Sequence, residues 1–421
     1  MKKMLFSAVA FAVVAVSAVA VAPTTSEAVP AFARQTGAAC LNCHFQAIPR
    51  LTAFGRNFRM NAFRDMGEQA LIEDEHLSLP AVFNAAFLMK ARFAHGSTKN
   101  AAGVVTNKGG PIETGPASSA VALQFPDEAA LLFGGRLGEH TGIFNEWSVI
   151  EGATGLLGAK LAYVFDLDAG IVALAFGTTD ALGAPSIFND PSNAVSRNVR
   201  GIQTRAQSLR STVMHTGVSG LGVYGHLADS VYFAVAGITP AGGTAAGNAG
   251  IDMTLSPYLR AAYTGELGGL DVVAGGWFAS VDAANHKQTG AAKNNRKEFG
   301  LDFQIQGDMG DVSIGFYMPV VLKAETTTTA TGLKTKVTGF NPYVNIAFGQ
   351  AGVRLGYDYA KTSGSAVGVN DVKRNNFIAG VWYDVAQNLT LDLEYNAIKT
   401  KTAGATSSKL NSTTLQIEYV Y

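Results

Sequence analysis

From residue 81 to the last residue, apolar and polar side chains alternate along short stretches that are separated by turn residues. In residues 299–306, Phe, Leu, Phe and Ile occupy one face of a predicted strand, and Gly, Asp and Gln occupy the other. Residues 353–359 and 389–396 repeat this pattern. A period of two residues places alternate side chains on opposite faces of a β-strand. The pattern therefore predicts a mainly β fold in which one face meets lipid and the other meets water.

The connections between the predicted strands alternate in length, which indicates the type of β fold. Longer polar segments, among them residues 178–211 and 362–373, alternate with tight turns such as 308–311 and 349–352. Outer-membrane barrels have long loops at one end, short turns at the other and an even number of antiparallel strands. We therefore predict a 16-stranded antiparallel outer-membrane β-barrel over residues 81–421. The alternative is a soluble β-sandwich whose apolar faces turn inward.

The two faces of one predicted strand give this barrel a specific expectation. Leu301 and Phe303 are expected to face lipid, and Gln304 is expected to face the lumen. A 16-stranded barrel leaves an aqueous lumen, so Gln304→Arg is expected to be tolerated.

The first residues of the chain predict export. Two lysines precede an apolar run from Met4 to Ala22, and small residues at 26 and 28 match the positions that a signal peptidase recognises. Residues 1–28 are therefore predicted to be a signal peptide, with the mature chain starting at Val29. The apolar run is also long enough to span a bilayer, but its charged start and the small residues that follow favour cleavage.

Residues 40–44 read Cys-Leu-Asn-Cys-His, the C-x-x-C-H pattern by which c-type haem is attached. Two thiols bond the porphyrin, and the adjacent imidazole ligates the iron. These are the only two cysteines of the chain, so a tetrahedral zinc site would lack a second ligand pair. A thioredoxin-like pair would require a βαβ context. Cys40 and Cys43 are therefore predicted to hold one covalent haem c, with His44 as the proximal axial ligand.

The motif lies in a small predicted domain, a monohaem c-type cytochrome segment of residues 29–80. A helix that starts at Pro49 is expected to place five apolar side chains on one face: Leu51, Phe54, Phe58, Ala62 and Met66. That face packs either on porphyrin or on the barrel wall. A segment this small buries a haem poorly by itself, and a 16-stranded barrel is wide enough to admit it. We therefore expect the helical segment to plug the barrel.

The distal haem ligand has three candidates. A Met ligand raises the potential relative to His, which favours Met66, on the apolar face of the predicted helix, and then Met60. His76 is the competing candidate, ranked between the two methionines, and would give a bis-His haem.

Charge and motifs exclude several function classes. The chain has 32 basic and 32 acidic residues, so its net charge gives no reason to expect nucleic acid binding. No G-x-S-x-G, P-loop or H-E-x-x-H pattern occurs, so no catalytic side chain is predicted outside the haem motif. The other histidines, among them His215 and His226, are expected to be solvated residues at strand ends or in loops.

Several segments resemble the fused outer-membrane monohaem cytochrome-porins of iron-oxidising bacteria. They are VPAFARQ at 29–35, CLNCHF at 40–45, LTAFGR at 51–56, LSLPA at 77–81 and LLFGGR at 131–136. A departure from many relatives is Asn-Ala-Phe at 61–63, where a Gly-Tyr-like pair is expected.

The resemblance implies a protein of the outer membrane, in contact with its lipid. It implies an Fe(II) oxidase activity in which extracellular Fe(II) gives an electron to the haem, which passes it to a periplasmic c-type cytochrome or other electron carrier. Two alternatives stay open. The chain is a porin in which the haem segment is only a plug, or it is an electron conduit for a donor other than iron.

Overall fold

The computed structural model describes most of the chain from residue 31 onwards. The described residues are 31–46, 48–67, 69–75, 77–99, 105–108, 121–150, 155–179, 183–193, 209, 212–215, 217–240, 255–281, 294–328, 332–364, 371–405 and 407–421. The predicted signal peptide, residues 1–28, lies outside them.

The described residues of the N-terminal segment form three short helices and a small hairpin. Its elements are α1 (Ala31–Thr36), α2 (Cys40–Cys43), α3 (Ala53–Met60), β1 (Leu71–Asp74) and β2 (Leu77–Pro80). β1 and β2 pair with each other in antiparallel register and do not join the main sheet. None of the helices among the described residues is long and apolar enough to cross a membrane.

The rest of the described chain forms one closed antiparallel barrel, in which β20 pairs with β3. Its strands are β3 (Ala85–Lys99), β4 (Val105–Lys108), β5 (Val121–Gly138), β6 (Thr141–Ile150), β7 (Gly155–Leu167), β8 (Gly170–Thr179), β9 (Val218–Leu227), β10 (Val231–Pro240), β11 (Ser256–Leu267), β12 (Leu270–Val281), β13 (Asn294–Met309), β14 (Val312–Thr328), β15 (Leu333–Phe340), β16 (Tyr343–Phe348), β17 (Ala351–Gly364), β18 (Val372–Ala386), β19 (Leu389–Thr402) and β20 (Ser408–Val420). A helical turn, α4 (Gly183–Ile187), lies between β8 and β9.

Two of the barrel strands are interrupted, so these segments make 16 strands. β4 and β5 pair with different parts of β3. β15 and β16 both pair with β14 and with β17. The second break falls at Asn341 and Pro342, where proline has no N–H to donate to the ladder. The predicted 16-stranded antiparallel barrel is confirmed.

The outer face of the barrel is apolar. In β13, Leu301 is 49% exposed, whereas its neighbour Asp302 is only 4% exposed. The same alternation of exposed apolar and buried residues occurs in β11, β17 and β19. A soluble sandwich would bury its apolar faces, so that alternative is wrong. An outer face of Leu, Phe, Val and Tyr around a closed sheet is what a lipid bilayer requires.

The inner face is polar, as predicted, but it is packed and not lined by water over much of the described part. Gln304, Gln306, Asn345 and Arg354 are fully buried. The Oε1 atom of Gln304 accepts a hydrogen bond from the backbone N–H of Asn193 at 2.7 Å. The expected tolerance of Gln304→Arg rested on an aqueous surrounding of position 304, and that premise is wrong, because an arginine there would be buried and would lose this hydrogen bond.

The turn side of the barrel agrees with the sequence, and the loop side departs from it. The turns at Gly310–Asp311 and Gly349–Gln350 are as short as predicted. On the other side the strands run further than predicted, and β14, for example, continues to Thr328. The segment predicted as an outer loop at 178–211 contains α4, whose side chains are mostly buried.

Leu301 lies in the middle of β13 with its side chain on the lipid side. Leu301→Arg is expected to destabilise the folded barrel by about 2 to 4 kcal/mol, because a guanidinium near the bilayer midplane is poorly solvated. Urea titration of the protein in lipid vesicles measures the difference. The control is Lys297→Arg, which keeps a cation on the same face near the end of the same strand. Equal stability of Leu301→Arg and the wild type would contradict the assignment of the outer face.

Candidate haem-attachment site

The C-x-x-C-H motif forms a single helical turn. Cys40 and Cys43 begin and end α2, and His44 follows as its C-terminal cap. The backbone N–H of His44 donates to the carbonyl of Cys40 at 2.8 Å. Residues three apart lie on the same face of a helix, so both thiols point to one side. Both cysteines are free and half-buried, so the structure brings the three predicted residues together.

The ring of His44 is held in one orientation by the backbone. Its Nδ1 lies 3.1 Å from the carbonyl oxygen of Arg50, and a short antiparallel bridge joins His44 to Leu51. A carbonyl only accepts hydrogen bonds, so Nδ1 carries the proton in the neutral ring and Nε2 carries the lone pair. This is the tautomer that ligates metals through Nε2, with the other nitrogen hydrogen-bonded to the protein.

The two thiols differ from redox-active cysteines. Burial raises the pKa of Cys40, and burial together with the nearby Cys40 raises the pKa of Cys43 to about 11. Both are therefore protonated at neutral pH. A thioredoxin-like site has the opposite property, a thiol whose pKa is lowered. The environment of the pair thus disfavours that alternative.

α3 packs directly against the motif. Thr52 is its N-cap: the Oγ1 atom accepts from the N–H of Gly55 at 3.1 Å and donates to the carbonyl of Asn42 at 2.6 Å. The N–H of Thr52 donates to the carbonyl of Cys43 at 3.0 Å. A Cβ added at Gly55 would overlap that same carbonyl. Glycine at position 55 is therefore what allows α3 to approach α2 this closely.

An aromatic cluster joins the N-terminal segment to the barrel wall. Phe32 of α1 stacks on Phe63 with ring centroids 4.8 Å apart and meets Phe58 of α3 edge-on at 5.2 Å. Phe144 of β6 lies 5.7 Å from Phe63. A different side of the segment is open, since Leu41 and Phe54 are about half-exposed. The segment therefore has one packed side and one accessible apolar side.

Polar side chains attach the segment to strands around the barrel. Arg56 pairs with Asp271 of β12 at 3.3 Å, and Gln46 donates to the carbonyl of Ser313 in β14 at 2.8 Å. Arg64 pairs with Asp166 of β7. All three partners lie close to the short turns. The segment is thus held near the short-turn end of the barrel.

Arg50 has a second role besides orienting His44. Its guanidinium lies 5.8 Å from the ring centroid of Trp382 in β18, and Arg354 of β17 lies 5.5 Å from the same centroid. Arg354 is paired with Asp392 at 3.0 Å and with Glu394 at 3.1 Å. A cation over an indole face is an attractive contact. The barrel wall therefore holds the residue whose carbonyl orients His44.

The residues that follow α4 were missed by sequence reasoning, because they were assigned to an outer loop. Asn193 bonds both backbone groups of Leu51, at 3.2 Å and 3.1 Å, and Gln306 of β13 donates to the carbonyl of Leu51 at 2.7 Å. The carbonyl of Asp190 accepts from Arg59. The available signal was the apolar Ile-Phe pair at 187–188, which is unusual for a solvated loop.

Asp190 also fixes this inward-turned segment to the barrel. Its carboxylate binds Arg260 of β11 at 2.6 Å, and Arg260 also binds Asp302 of β13 at 2.5 Å. Arg59 lies close to this group, and burial lowers its pKa to about 10 despite the charge of Asp190. Arg59 still carries its charge at neutral pH, so the buried cations and anions face each other.

The structure corrects the predicted apolar helix face. α3 ends at Met60, and Ala62 and Phe63 adopt left-handed backbone angles, with φ of 57° and 59°. Met66 is therefore not on the helix. Phe54 is exposed while Phe58 is buried, so the two do not share one packed face. The turn forms at Asn-Ala-Phe, residues 61–63.

The distal-ligand candidates are placed differently. Met60 is buried in a cluster with barrel residues, and its carbonyl accepts from the hydroxyl of Tyr224. Met66 is half-buried beyond the turn, and His76 lies outside the described residues. Among the described residues, no group of three or more His, Cys, Asp and Glu is placed to hold a metal ion. The ranking of the three stays a prediction.

Two of the remaining histidines differ from the predicted exposure. His215 and His226 are buried, so the expectation that they are solvated is wrong. The Nε2 atom of His226 lies 2.8 Å from the hydroxyl of Thr264, which indicates a hydrogen-bonded residue of the inner face.

Comparison with known proteins bears on the barrel. No family model matches the chain, and no curated protein matches it by sequence. The outer membrane channel DcaP of Acinetobacter baumannii is similar in structure, with a TM-score of 0.50 and 11% identity, over 80% of this chain and 96% of that chain. In-vitro folded OmpT of Vibrio cholerae has a TM-score of 0.48 and 13% identity, over 83% of this chain and 99% of that chain. The likeness to DcaP shows a porin-like outer-membrane barrel fold.

Gly55→Ala is expected to separate α3 from α2, because the added methyl group would overlap the carbonyl of Cys43. Overpacking of this kind costs about 1 to 3 kcal/mol, so the segment should be cleaved faster in limited proteolysis. The control is Gly138→Ala, where the added carbon would meet no atom closer than 3.7 Å. If both variants are cleaved at the wild-type rate, the close contact between the helices is wrong.

Proposed function

We propose that this chain is an outer-membrane cytochrome-porin, which transfers electrons across the membrane through one haem c attached to Cys40 and Cys43 and ligated by His44. The observation that carries the proposal is the attachment of the C-x-x-C-H segment to inner-face side chains of a closed membrane barrel. In this proposal the N-terminal segment is the plug of the barrel. The Leu51 contacts with Asn193 and Gln306 support it.

The residues of the segment fit a covalent haem. Two free thiols share one side of α2, and the Arg50 carbonyl leaves Nε2 of His44 as the coordinating nitrogen. Leu41 and Phe54 supply accessible apolar surface on the same segment. When bound, a haem c supplies a one-electron redox couple whose potential depends on its ligands and surroundings.

The packed inner face favours an electron conduit over a passive porin. Gln304, Gln306 and Arg354 would line an aqueous channel if the lumen were open at their level, yet all three are fully buried. Their burial leaves little room for solute to pass. The proposed function moves no solute across the membrane, so a filled lumen does not argue against it.

Extracellular Fe(II) is the donor that we propose, on the strength of the sequence resemblance. Its oxidised product hydrolyses to insoluble oxide at neutral pH. A cell that oxidises iron therefore benefits from leaving the metal outside and importing only the electron. The alternative is a donor other than iron, and the first experiment below distinguishes the two donors.

The charges at the short-turn end of the barrel favour a basic protein as the electron acceptor. Seven exposed acidic residues lie in or beside its turns: Glu139, Asp166, Asp168, Asp229, Glu266, Asp308 and Asp311. No Lys or Arg occurs in the seven described turns or within two residues of them. Short turns face the periplasm in outer-membrane barrels. We propose that this acidic rim attracts a lysine-rich periplasmic electron carrier, such as a basic c-type cytochrome.

Oxidised protein mixed with Fe(II) near neutral pH in a stopped-flow spectrometer tests the function. We expect the haem absorbance to change to that of the reduced form without any added enzyme. The control is Cys40→Ala with Cys43→Ala, which should fold as a barrel but hold no covalent haem, because attachment needs both thiols and strand closure needs neither.

Three outcomes would contradict parts of the proposal. Covalent haem staining of equal strength in the double variant would refute the attachment site. A haem that dithionite reduces but Fe(II) does not would refute iron as the donor. Rapid solute uptake by liposomes that contain the wild-type protein would favour the porin alternative.

Neutralising the acidic rim is expected to slow electron transfer to a lysine-rich soluble cytochrome c, used as the probe. Asp168→Asn, Glu266→Gln and Asp311→Asn together should lower the second-order rate by about tenfold at low ionic strength and by little at 0.5 M salt, because salt screens exposed charges. The control is Glu325→Gln with Asp371→Asn, at the opposite end of the barrel. An unchanged rate at low salt would exclude the rim as the docking surface.

A further inference from the structure

Lysines accumulate on the outer surface of the barrel at its long-loop end. Five of them lie on four adjacent strands, β17 to β20: Lys361, Lys373, Lys399, Lys401 and Lys409. The nearest strands on one side, β14 and β15, also carry lysines, but Lys323 pairs with Glu325 at 3.1 Å, and Glu325 is the strand partner of Lys336. The five lysines therefore form a distinct group.

The strand register places these lysines directly opposite one another. Lys361 of β17 is the partner of Lys373 of β18, and Lys373 is the partner of Lys401 of β19. This first row crosses three strands at one level. Like charges directly opposite each other in a sheet are destabilising, so an anion bound between these lysines would stabilise the arrangement.

A second row continues the first around the barrel. Lys399 of β19 is the partner of Lys409 of β20. Lys399 and Lys401 are two residues apart on the same strand, so the two rows are offset by one outward position. Among the described residues, Asp371 is the one acidic partner of these lysines, 3.7 Å from Lys361.

The rows face away from the lumen. On β18 and β19 the inward positions are buried, as at Asn376 and Asn396, whereas Lys373 and Lys399 occupy the alternate, exposed positions. Lys373 is four residues from Phe377 and Lys399 is four residues from Tyr395, two exposed aromatic residues on the same outer face. The separation along a strand is about 13 Å.

That distance identifies the layer that the lysines occupy. Aromatic side chains of membrane barrels lie at the boundary between hydrocarbon and headgroups. Cations that lie beyond the aromatic residues, on the outer surface, are at the depth of the lipid phosphates. A soluble polyanion or a protein partner would have to displace lipid to reach them, whereas lipid headgroups are adjacent.

We propose that the two lysine rows are a binding site for the phosphates of an outer-leaflet lipid, a multiply phosphorylated glycolipid of the lipopolysaccharide type. The long loops of outer-membrane barrels face the cell exterior, where this is the anionic lipid. Phosphate oxygens between the rows would remove the repulsion between facing ammonium groups. The site does not depend on the haem and would be present in a plain porin.

The test compares lipid binding by the purified protein in detergent. The probe is bisphosphorylated lipid A, and its dephosphorylated form is the second ligand. The variant Lys373→Gln, Lys401→Gln, Lys409→Gln should bind bisphosphorylated lipid A roughly a hundredfold more weakly than the wild type, since each lysine near an anionic lipid surface contributes about a fivefold factor. The matched control is Lys323→Gln, Lys334→Gln, Lys336→Gln, which should bind as the wild type does.

Thermal unfolding is an independent measurement, in which the stability difference between the row variant and the wild type should reverse when lipid is added. Without lipid, the row variant should unfold at a higher temperature than the wild type, because it lacks the facing charges. With bisphosphorylated lipid A, the wild type should gain more stability than the variant. Three results would overturn the proposal: equal binding by the wild type and the row variant, equal binding of the dephosphorylated lipid, or inorganic phosphate alone binding as tightly as the lipid.

Discussion

The structure depends on one constraint: no backbone N–H or C=O can remain unpaired in lipid. The pairing of β20 with β3 satisfies it, because closure removes both sheet edges. A closed sheet has only two faces, and each strand must present one to lipid and one to the lumen. The alternation seen in the sequence is the direct consequence of this closure, and so is the breaking of a strand at Pro342, whose missing N–H would otherwise leave a gap in the ladder.

Because the closed sheet must be apolar on its outer face, its charged side chains lie on the inner face, where they have to be paired. The barrel brings buried charges such as Arg260, Asp302 and Arg354 to one enclosed space, and a buried charge is costly unless it is paired. Strand neighbours pair some of them, and the segment after α4 supplies Asp190 for Arg260. The N-terminal segment is fixed by the same polar surface. The C-x-x-C-H motif is therefore held in place by inner-face side chains, such as Arg354, that also pair with one another.

Sequence reasoning reached what depends on local pattern. The period of two gave the barrel and the sides on which Leu301 and Gln304 lie, and the C-x-x-C-H spacing gave Cys40, Cys43 and His44 on one helical turn. It failed where contacts with residues distant in sequence determine the local structure. α3 ends before Ala62 and Phe63, whose turn packs closely on Gly142 of β6. Gln304 is buried by Asn193, more than a hundred residues away. No sequence pattern near the turn at 62–63 or near Gln304 predicts such contacts.

Among the described residues, acidic side chains gather at the short turns and lysines gather at the opposite end of the barrel, although the whole chain is balanced at 32 basic and 32 acidic residues. Net charge therefore conceals the property that matters to a membrane protein, which is how charge is distributed along the membrane normal. In the orientation that both proposals use, the lysines would meet lipid phosphates and the acidic turns would meet soluble proteins. The same orientation would place the C-x-x-C-H motif, held near the short turns by Asp166 and Asp271, on the side where the proposed carrier protein would approach. The charge distribution and the position of the motif therefore agree with the same proposed direction of insertion.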